Sequence, residues 1–419
     1  MIEPGIAIFL ILLLLAVGQG LLAVGFLRIL TGTRPARPGK PFYPRTAVIL
    51  CLRGHDPFLE KCLELLLHQD YPDYQLRLVV DNLHDPAYRV VQPLAERYGP
   101  ERVHIETLDD RRTTCSLKCS SVTQAIERLD PSFEAVALVD ADTMPPRSWL
   151  RDLVAPLADE SLGAATGNRW YMPAGGSWGA LVRYLWNAAA VVQMYWYHVP
   201  WGGTLALRRQ TIEELDLLGR WRRGFCEDTM LYRQLGRRGL GVKFVPALMM
   251  VNREDCAVGD CGRWISRQLL TMRLYHPLWP MVALHGLGTT LVLAAAVVAT
   301  AVAALHRDLP SVLWCAGGLA VYEAIMVGLL IPLEIFVRRV VRSNGGPTGW
   351  LSWKTVLRLA PAVVLTQVVY TLALLGAQFA RTVSWRGVHY RVRGSGVVER
   401  LDDPACSGEA PPAAHGHSL

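Results

Sequence analysis

Four long apolar runs, at residues 5–27, 278–304, 311–336 and 359–379, bracket a central stretch where short apolar runs alternate with helical spacing. Each run supplies, or nearly supplies, the roughly 20 apolar residues that a spanning helix needs. A chain with such runs at both ends is expected to place a domain between membrane segments. The expected division is an N-terminal anchor over 1–31, a linker over 32–45, a domain over 46–276, a transmembrane region over 277–380 and a tail over 381–419. That tail begins basic and, from about residue 400, has the Pro-rich polar composition of a disordered segment. The first run reads as a retained anchor. Its start, Met1-Ile-Glu-Pro4, lacks basic residues, the run is too long for a signal peptide, and no small-residue cleavage site follows. The charged fraction of 19% falls below the about 25% of a soluble domain, and the deficit sits in these runs.

Charge then gives an orientation. The net charge is +7, and Arg28, Arg34, Arg37, Lys40 and Arg45 follow the first run, while Arg338, Arg339 and Arg342 follow the third. Cytoplasmic loops carry such excess, so an integral, multi-pass protein with a cytoplasmic central domain is expected, in the cell inner membrane if the source is bacterial. Juxtamembrane arginines orient spans and meet lipid headgroups, so the bilayer is a partner and nucleic acid is not. The segments after 337 and after 380 are both basic, yet the run at 359–379 separates them. It contains Pro361 and Gln367 and is expected to be re-entrant or interfacial. The nine cysteines include no Cys-x-x-Cys pair, which argues against zinc.

The runs Thr46–Leu52, Leu76–Val80, Val103–Thr107 and Ala135–Val139 read as buried strands, with helical spacing at 57–69, 86–98 and 119–129. This alternation predicts an α/β domain with a mostly parallel sheet. Beyond residue 160 the pattern is less regular. Residues 177–200, interrupted by Arg183, suit an interfacial or buried helix, Val242–Pro246 a strand, and 260–276 a basic amphipathic helix on the membrane surface.

Two of the strands run directly into acids. Asp81 and Asp85 follow the second strand, and Asp140 and Asp142 the run Val-Ala-Leu-Val. Open α/β sheets bind ligands at the carboxyl ends of parallel strands. Asp81 or Asp85 can hydrogen-bond a nucleotide base or ribose, although Asn82 and Asp85-Pro86 also suit a plain turn. Asp140 and Asp142, spaced Asp-x-Asp, can share a hard divalent cation that holds a diphosphate. Helix capping is their structural alternative. Lys118 and Arg111-Arg112 can meet the diphosphate or simply be solvated. Asp228 can act as general base on an acceptor hydroxyl, with Glu227 positioning it, and the pair also suits a helix start. Gly202-Gly203 permits close backbone approach, and the nearby aromatics can stack on a sugar or pack a turn. Intramembrane acids are functional candidates. Glu334 is near enough to a span end to face water, which leaves Glu323. Together these features outline a nucleotide-sugar glycosyltransferase in a membrane.

From about residue 46 to residue 394 the chain resembles family-2-type glycosyltransferases, and within them the family-21, ceramide glucosyltransferase-like branch. The resemblance is carried by Arg53-Gly-His-Asp56-Pro57, Gln69-Asp-Tyr-Pro72, His84-Asp85-Pro86-Ala87, Asp140, Glu227-Asp228, Ser384-Trp385-Arg386 and Tyr390-Arg391-Val-Arg393-Gly394. It implies a Rossmann-like GT-A fold joined to transmembrane helices, inversion at the anomeric carbon, a UDP-sugar donor with Mg2+ or Mn2+, and a lipid acceptor. It implies Asp85 as the first-motif acid, Asp140 and Asp142 as holders of the metal diphosphate, and Asp228 as the base. One departure concerns the family's Arg-Trp element near the surface helix. Here Arg267-Gln268 stands without it, and an Arg263-Trp264 pair occurs in another register, so Arg263, Trp264, Arg267 or Gln268 substitutes or acceptor handling differs. The expected product is a glycolipid made from ceramide, diacylglycerol or a polyprenoid, with glucose as the expected hexose. A processive polysaccharide synthase and a non-catalytic scaffold with a nucleotide-sugar fold are the alternatives.

Overall fold

The computed structural model describes residues 2–32, 42–54, 56–173, 176–346, 348–349, 351–394 and 396–402. Most of the linker, including Arg34, Arg37 and Lys40, and the tail beyond 402 lie outside these residues. The chain starts with helix α1 (Ile2–Gly32). The domain then runs β1 (Thr46–Leu52), α2 (Leu59–Leu67), β2 (Tyr74–Val80), α3 (Pro86–Tyr98), β3 (Val103–Thr107), α4 (Leu117–Glu127) and β4 (Ala135–Val139). It continues with α5 (Trp149–Val154), β5 (Leu162–Tyr171), α6 (Trp178–Trp196), β6 (Thr204–Arg208), α7 (Arg209–Glu214), α8 (Leu217–Trp221), α9 (Leu231–Gly236), β7 (Gly241–Asn252) and α10 (Val258–Tyr275). Helices α11 (Trp279–Leu305), α12 (Leu309–Ser343), α13 (Trp353–Leu357) and α14 (Leu359–Phe379) follow. The chain then forms strands β8 (Thr382–Trp385), β9 (Val388–Gly394) and β10 (Val397–Arg400).

Seven strands form one sheet in the order β3-β2-β1-β4-β6-β5-β7. The pairs β1/β2, β2/β3, β1/β4 and β5/β7 are parallel, and β6 runs antiparallel between β4 and β5. Alternate side chains leave opposite faces of a strand. In β1, Val48, Leu50 and Leu52 therefore join α2, α3 and α5 in one core, while Ala47 and Ile49 join α4, α8 and α10 in another. Helix starts are fixed by capping groups. Asp85 accepts from Ala87 N at 2.8 Å ahead of Pro86, and Ser116 accepts from Cys119 N at 3.1 Å ahead of α4.

Helices α1, α11, α12 and α14 are each long and apolar enough to cross a membrane. Phe9 of α1 meets Trp314, near the start of α12, edge-on at 5.3 Å. At the other end Phe26 and Leu30 share a core with Val337 and Val341 of α12 and with Trp170 of β5. Both helices thus run toward the sheet domain. Glu334 is 7% exposed, accepts from Trp170 Nε1 at 3.0 Å and Tyr184 OH at 3.1 Å, and pairs with Arg338. The expectation that Glu334 faces water is corrected: an apolar contact between α12 and the domain buries it, and three donors compensate its charge.

Both ends of α14 rest on the sheet domain. Arg358 donates to Gly176 O, and Arg273 of α10 donates to the carbonyls of Gln378 and Ala380. The segment 260–276, expected as a basic amphipathic surface helix, falls within α10 (Val258–Tyr275). Helix α10 packs against α6 and α14 and buries Trp264, Ile265, Leu269 and Leu270, while Arg263 pairs with Asp260 and Arg273 donates to the carbonyls of Gln378 and Ala380.

Candidate functional site

At the carboxyl ends of β1, β2 and β4 the chain opens a cleft of about 160 Å³. Asp81, Lys118, Asp140, Asp142, Glu227, Asp228, Arg267 and Gln268 all line it. Asp81 is gripped by Arg53 NH1 at 2.8 Å and Arg111 NH2 at 2.9 Å, and Arg111 also donates to the Asp81 carbonyl. Asp85 lies elsewhere. Its oxygens accept from Gly54 N at 2.9 and 3.0 Å and from Ala87 N, and it does not line the cleft. The resemblance pointed to Asp85, and the structure turns that residue to capping because Pro86 begins a helix that needs an N-cap acceptor. Arg112 is held by Asp110 and Glu127, outside the cleft.

Lys118 is the electrostatic hub. Its Nζ lies 2.8 Å from Asp140 Oδ1 and 2.7 Å from Glu227 Oε1. Burial disfavours the Lys118 charge, but the two carboxylates more than reverse that and raise its pKa. Burial likewise pushes against ionised Asp140, yet Lys118, with Arg169 and Arg386, holds it below the usual carboxylate range. Asp142 moves the other way, because burial outweighs the Arg169 guanidinium 3.2 Å away. Burial also raises Glu227, against the pull of Lys118.

Asp228 is oriented by the backbone. Its Oδ2 accepts from Gly202 N at 2.8 Å, and its Oδ1 from the Thr229 hydroxyl at 3.0 Å. A methyl group on Gly202 would collide with the Glu227 carboxylate, and one on Gly203 would come within 2.6 Å of Asp140 Oδ2. The glycine pair therefore lets the loop before β6 press against three acids of the cleft.

Some lining residues were not nominated from the sequence. Arg169, from β5, stacks at 4.9 Å from the Trp201 ring while holding Asp142. Arg386 occupies a left-handed turn with φ 47° next to Gly387, between β8 and β9. It donates to Arg53 O at 2.7 Å and reaches Asp56 at 3.6 Å. Tyr390 accepts from Leu117 N at 3.2 Å and anchors that hairpin over the start of α4. A lone arginine in Asn168-Arg169-Trp170-Tyr171 was the available signal for the first, and the terminal signature for the second. In the contested register Arg263 is exposed and paired with Asp260, and Trp264 packs edge-on against Tyr171 and Trp186. Arg267 instead reaches the cleft, 5.2 Å from the Trp385 ring and without a carboxylate partner among the described residues. Burial, then Arg386 and Arg169, push it down to about 10. Such a group of cations suits a polyanionic ligand.

The residues present fit a divalent cation. Asp140 and Asp142 offer two hard oxygen ligands in one cleft, and Mg2+-type sites often use one or two carboxylates and complete their shell with water and phosphate. No group of three or more His, Cys, Asp or Glu among the described residues is placed to hold a metal unaided.

The profile of the family described as Glycosyl transferase family 21 matches residues 8–398. No curated protein gives a significant match. Among solved structures, a mannosyltransferase from Pyrobaculum calidifontis, in complex with GDP-Man and Mn2+, is similar at 18% identity and a TM-score of 0.49. That alignment covers 90% of this chain and 99% of the other. GalNAc-T7 with UDP, GalNAc and Mn2+ is similar at 12% identity and a TM-score of 0.36, over 51% of this chain and 44% of that one. With the sheet described above, the family match gives a mixed α/β fold of GT-A type carrying four helices able to span a membrane.

Proposed function

The chain belongs to glycosyl transferase family 21 and is a glycosyltransferase, and on that premise we propose transfer of one hexose from a UDP-sugar to the hydroxyl of a membrane lipid, with inversion. Glucose is the expected hexose, and ceramide or diacylglycerol an expected acceptor. The observation that carries this reading is the convergence of Asp81, Asp140, Asp142, Glu227 and Asp228 on one cleft at the carboxyl edge of the sheet.

In this reading Asp81, set by Arg53 and Arg111, takes the base or ribose of the donor. Asp140 and Asp142 would hold Mg2+ or Mn2+, which when bound supplies Lewis-acid charge at the diphosphate. Lys118, Arg267 and Arg386 offset the charge that builds on the departing diphosphate. Asp228 removes the acceptor proton as the acceptor oxygen bonds the anomeric carbon. The anomeric carbon–oxygen bond on the opposite face breaks, and UDP leaves with the electron pair. Glu227 fixes Lys118 beside Asp140. The catalytic domain faces the cytoplasm, which supplies the nucleotide sugar.

Detergent-solubilised protein given Mn2+, a total-lipid extract and single UDP-sugars is expected to release UDP while one lipid gains one hexose by mass spectrometry. Asp228→Asn should keep donor binding and lose about 10²–10⁴-fold in turnover. Asp140→Asn should lose metal-dependent donor binding. Normal turnover by either variant would sink the assigned roles, and a polymeric product would favour a processive synthase.

A further inference from the structure

The acids that converge on the cleft are matched in number by the basic side chains that line it, Arg53, Lys118, Arg169, Arg267 and Arg386, so the lining carries no net formal charge. A free divalent cation entering such a cleft adds unbalanced positive charge, and a free diphosphate adds unbalanced negative charge. The two together are neutral, because each phosphate of a nucleotide sugar contributes one negative charge. The charge balance therefore favours joint entry over either ion alone.

Within that balance Asp140 and Asp142 are partly committed. Asp142 Oδ2 accepts from Arg169 at 3.2 Å and from Asn252 Nδ2 at 3.4 Å. Asp140 Oδ1 accepts from Lys118 Nζ at 2.8 Å, and its Oδ2 faces Gly203, where a methyl group would lie 2.6 Å away. A divalent cation brought to Asp140 thus comes up against the Lys118 ammonium. Lys118 also has a second place to bond. Glu227 Oε1 is 2.7 Å from Nζ, but at an angle that makes no hydrogen bond, and this oxygen accepts none from any described residue although Glu227 is only 1% exposed. A buried carboxylate oxygen without a hydrogen bond is costly. A turn of the Lys118 side chain away from Asp140 gives that oxygen its donor.

We propose that Lys118 is a positioning residue that competes with the divalent cation for Asp140 and so couples the cation to the nucleotide. Without nucleotide, Lys118 holds Asp140 Oδ1 and opposes a cation there. With the diphosphate bound, Lys118 turns from Asp140 to Glu227 and a phosphate oxygen, which leaves Asp140 to the cation. The proposal rests on the assignment of Asp140 and Asp142 to the metal in the glycosyl-transfer reading above. Such coupling is reciprocal: the nucleotide tightens the cation by the factor with which the cation tightens the nucleotide. Removing the Lys118 ammonium then gives a protein that binds the free cation better and turns over worse.

The test counts Mn2+ bound to the full chain in detergent by the loss of the free Mn2+ EPR signal, with and without saturating UDP, against protein-free controls for the Mn2+–UDP complex. The wild type is expected to bind Mn2+ at least about tenfold more tightly with UDP than without it. Lys118→Met should tighten Mn2+ binding without UDP by about 10–150-fold, the strength of one charge-assisted hydrogen bond, and shrink the UDP effect by a comparable factor. Arg267→Met removes a cation from the same cleft without freeing Asp140, and should tighten Mn2+ far less. Should Lys118→Met fail to fold, the charge-balanced pair Lys118→Met with Glu227→Gln reads the same Mn2+ affinities. A wild-type Mn2+ affinity that ignores UDP, an unchanged affinity in Lys118→Met, or equal tightening by Lys118→Met and Arg267→Met overturns the proposal. A wild type that binds no Mn2+ in either condition sinks the metal assignment beneath it.

Discussion

His276, at the junction of α10 and α11, shows how burial fixes a protonation state. Its Nε2 faces the Tyr197 carbonyl at 3.1 Å, and its Nδ1 accepts from Leu278 N at 3.2 Å, so the neutral ring satisfies both contacts. Burial, against the help of the Tyr197 carbonyl, lowers it to about 4. The unfolded chain binds this proton near pH 6.5. The residue's contribution is therefore intact above about pH 6.5 and is lost as pH falls toward 4, up to about 3 kcal/mol. Thermal melts in detergent should show the wild type losing stability between pH 6.5 and 5 more steeply than His276→Gln. Parallel slopes would contradict this. None of this was legible in the sequence, where His276 is one polar residue before a span. The acids were legible because an aspartate straight after Val-Ala-Leu-Val is costly without a role. The choice between Asp81 and Asp85 was not, because both follow the same strand and only the fold shows which one caps α3.

At the scale of elements, the contacts of α14 bear on a conflict that charge counting could not resolve. The carboxamide of Asn344 donates to Ala247 O at 2.6 Å, which puts the end of α12 at the sheet domain. The hairpin after α14 lies against the same domain. A helix of 21 residues, about 31 Å long, whose two ends touch one domain is expected to return the chain to the side it left. Single cysteines at Ser352 and Val397 should label from the same face of sealed vesicles, and one at His306 from the other, in a background without further reactive thiols. Opposite labelling of Ser352 and Val397 would make α14 a full crossing. Hydropathy reported length and apolarity correctly, and these do not distinguish a crossing from an insertion. The first strands were legible as unbroken apolar runs. Strand β5 was not, because Gly163, Gly167, Asn168 and Arg169 interrupt its pattern, and its Gly167 is needed for close packing on Leu248 and Thr204.

For the molecule as a whole, the cleft is assembled from both ends of the chain. Arg53 and Arg386 exchange hydrogen bonds to each other's carbonyls, across a separation of 333 residues. Arg400 N donates to Thr113 O at 2.7 Å and ties the last strand to the loop before α4. The terminal sheet therefore forms a wall of the cleft. Arg386→Ala is expected to lower kcat/KM for the donor by about 10–150-fold, the worth of one charge-assisted hydrogen bond, with partial recovery in Arg386→Lys. An unchanged donor KM and kcat would reduce Arg386 to a hairpin residue. By itself the sequence determined the α/β alternation, the apolar helices and the acids at the strand ends, because each depends on neighbours within one element. Only the tertiary structure decided that Arg169 and Arg386 stand beside those acids, that Asp85 caps a helix, and that Asp228 lines both the cleft and the cavity behind it. Those facts depend on which distant segments pack together, and no local periodicity encodes that.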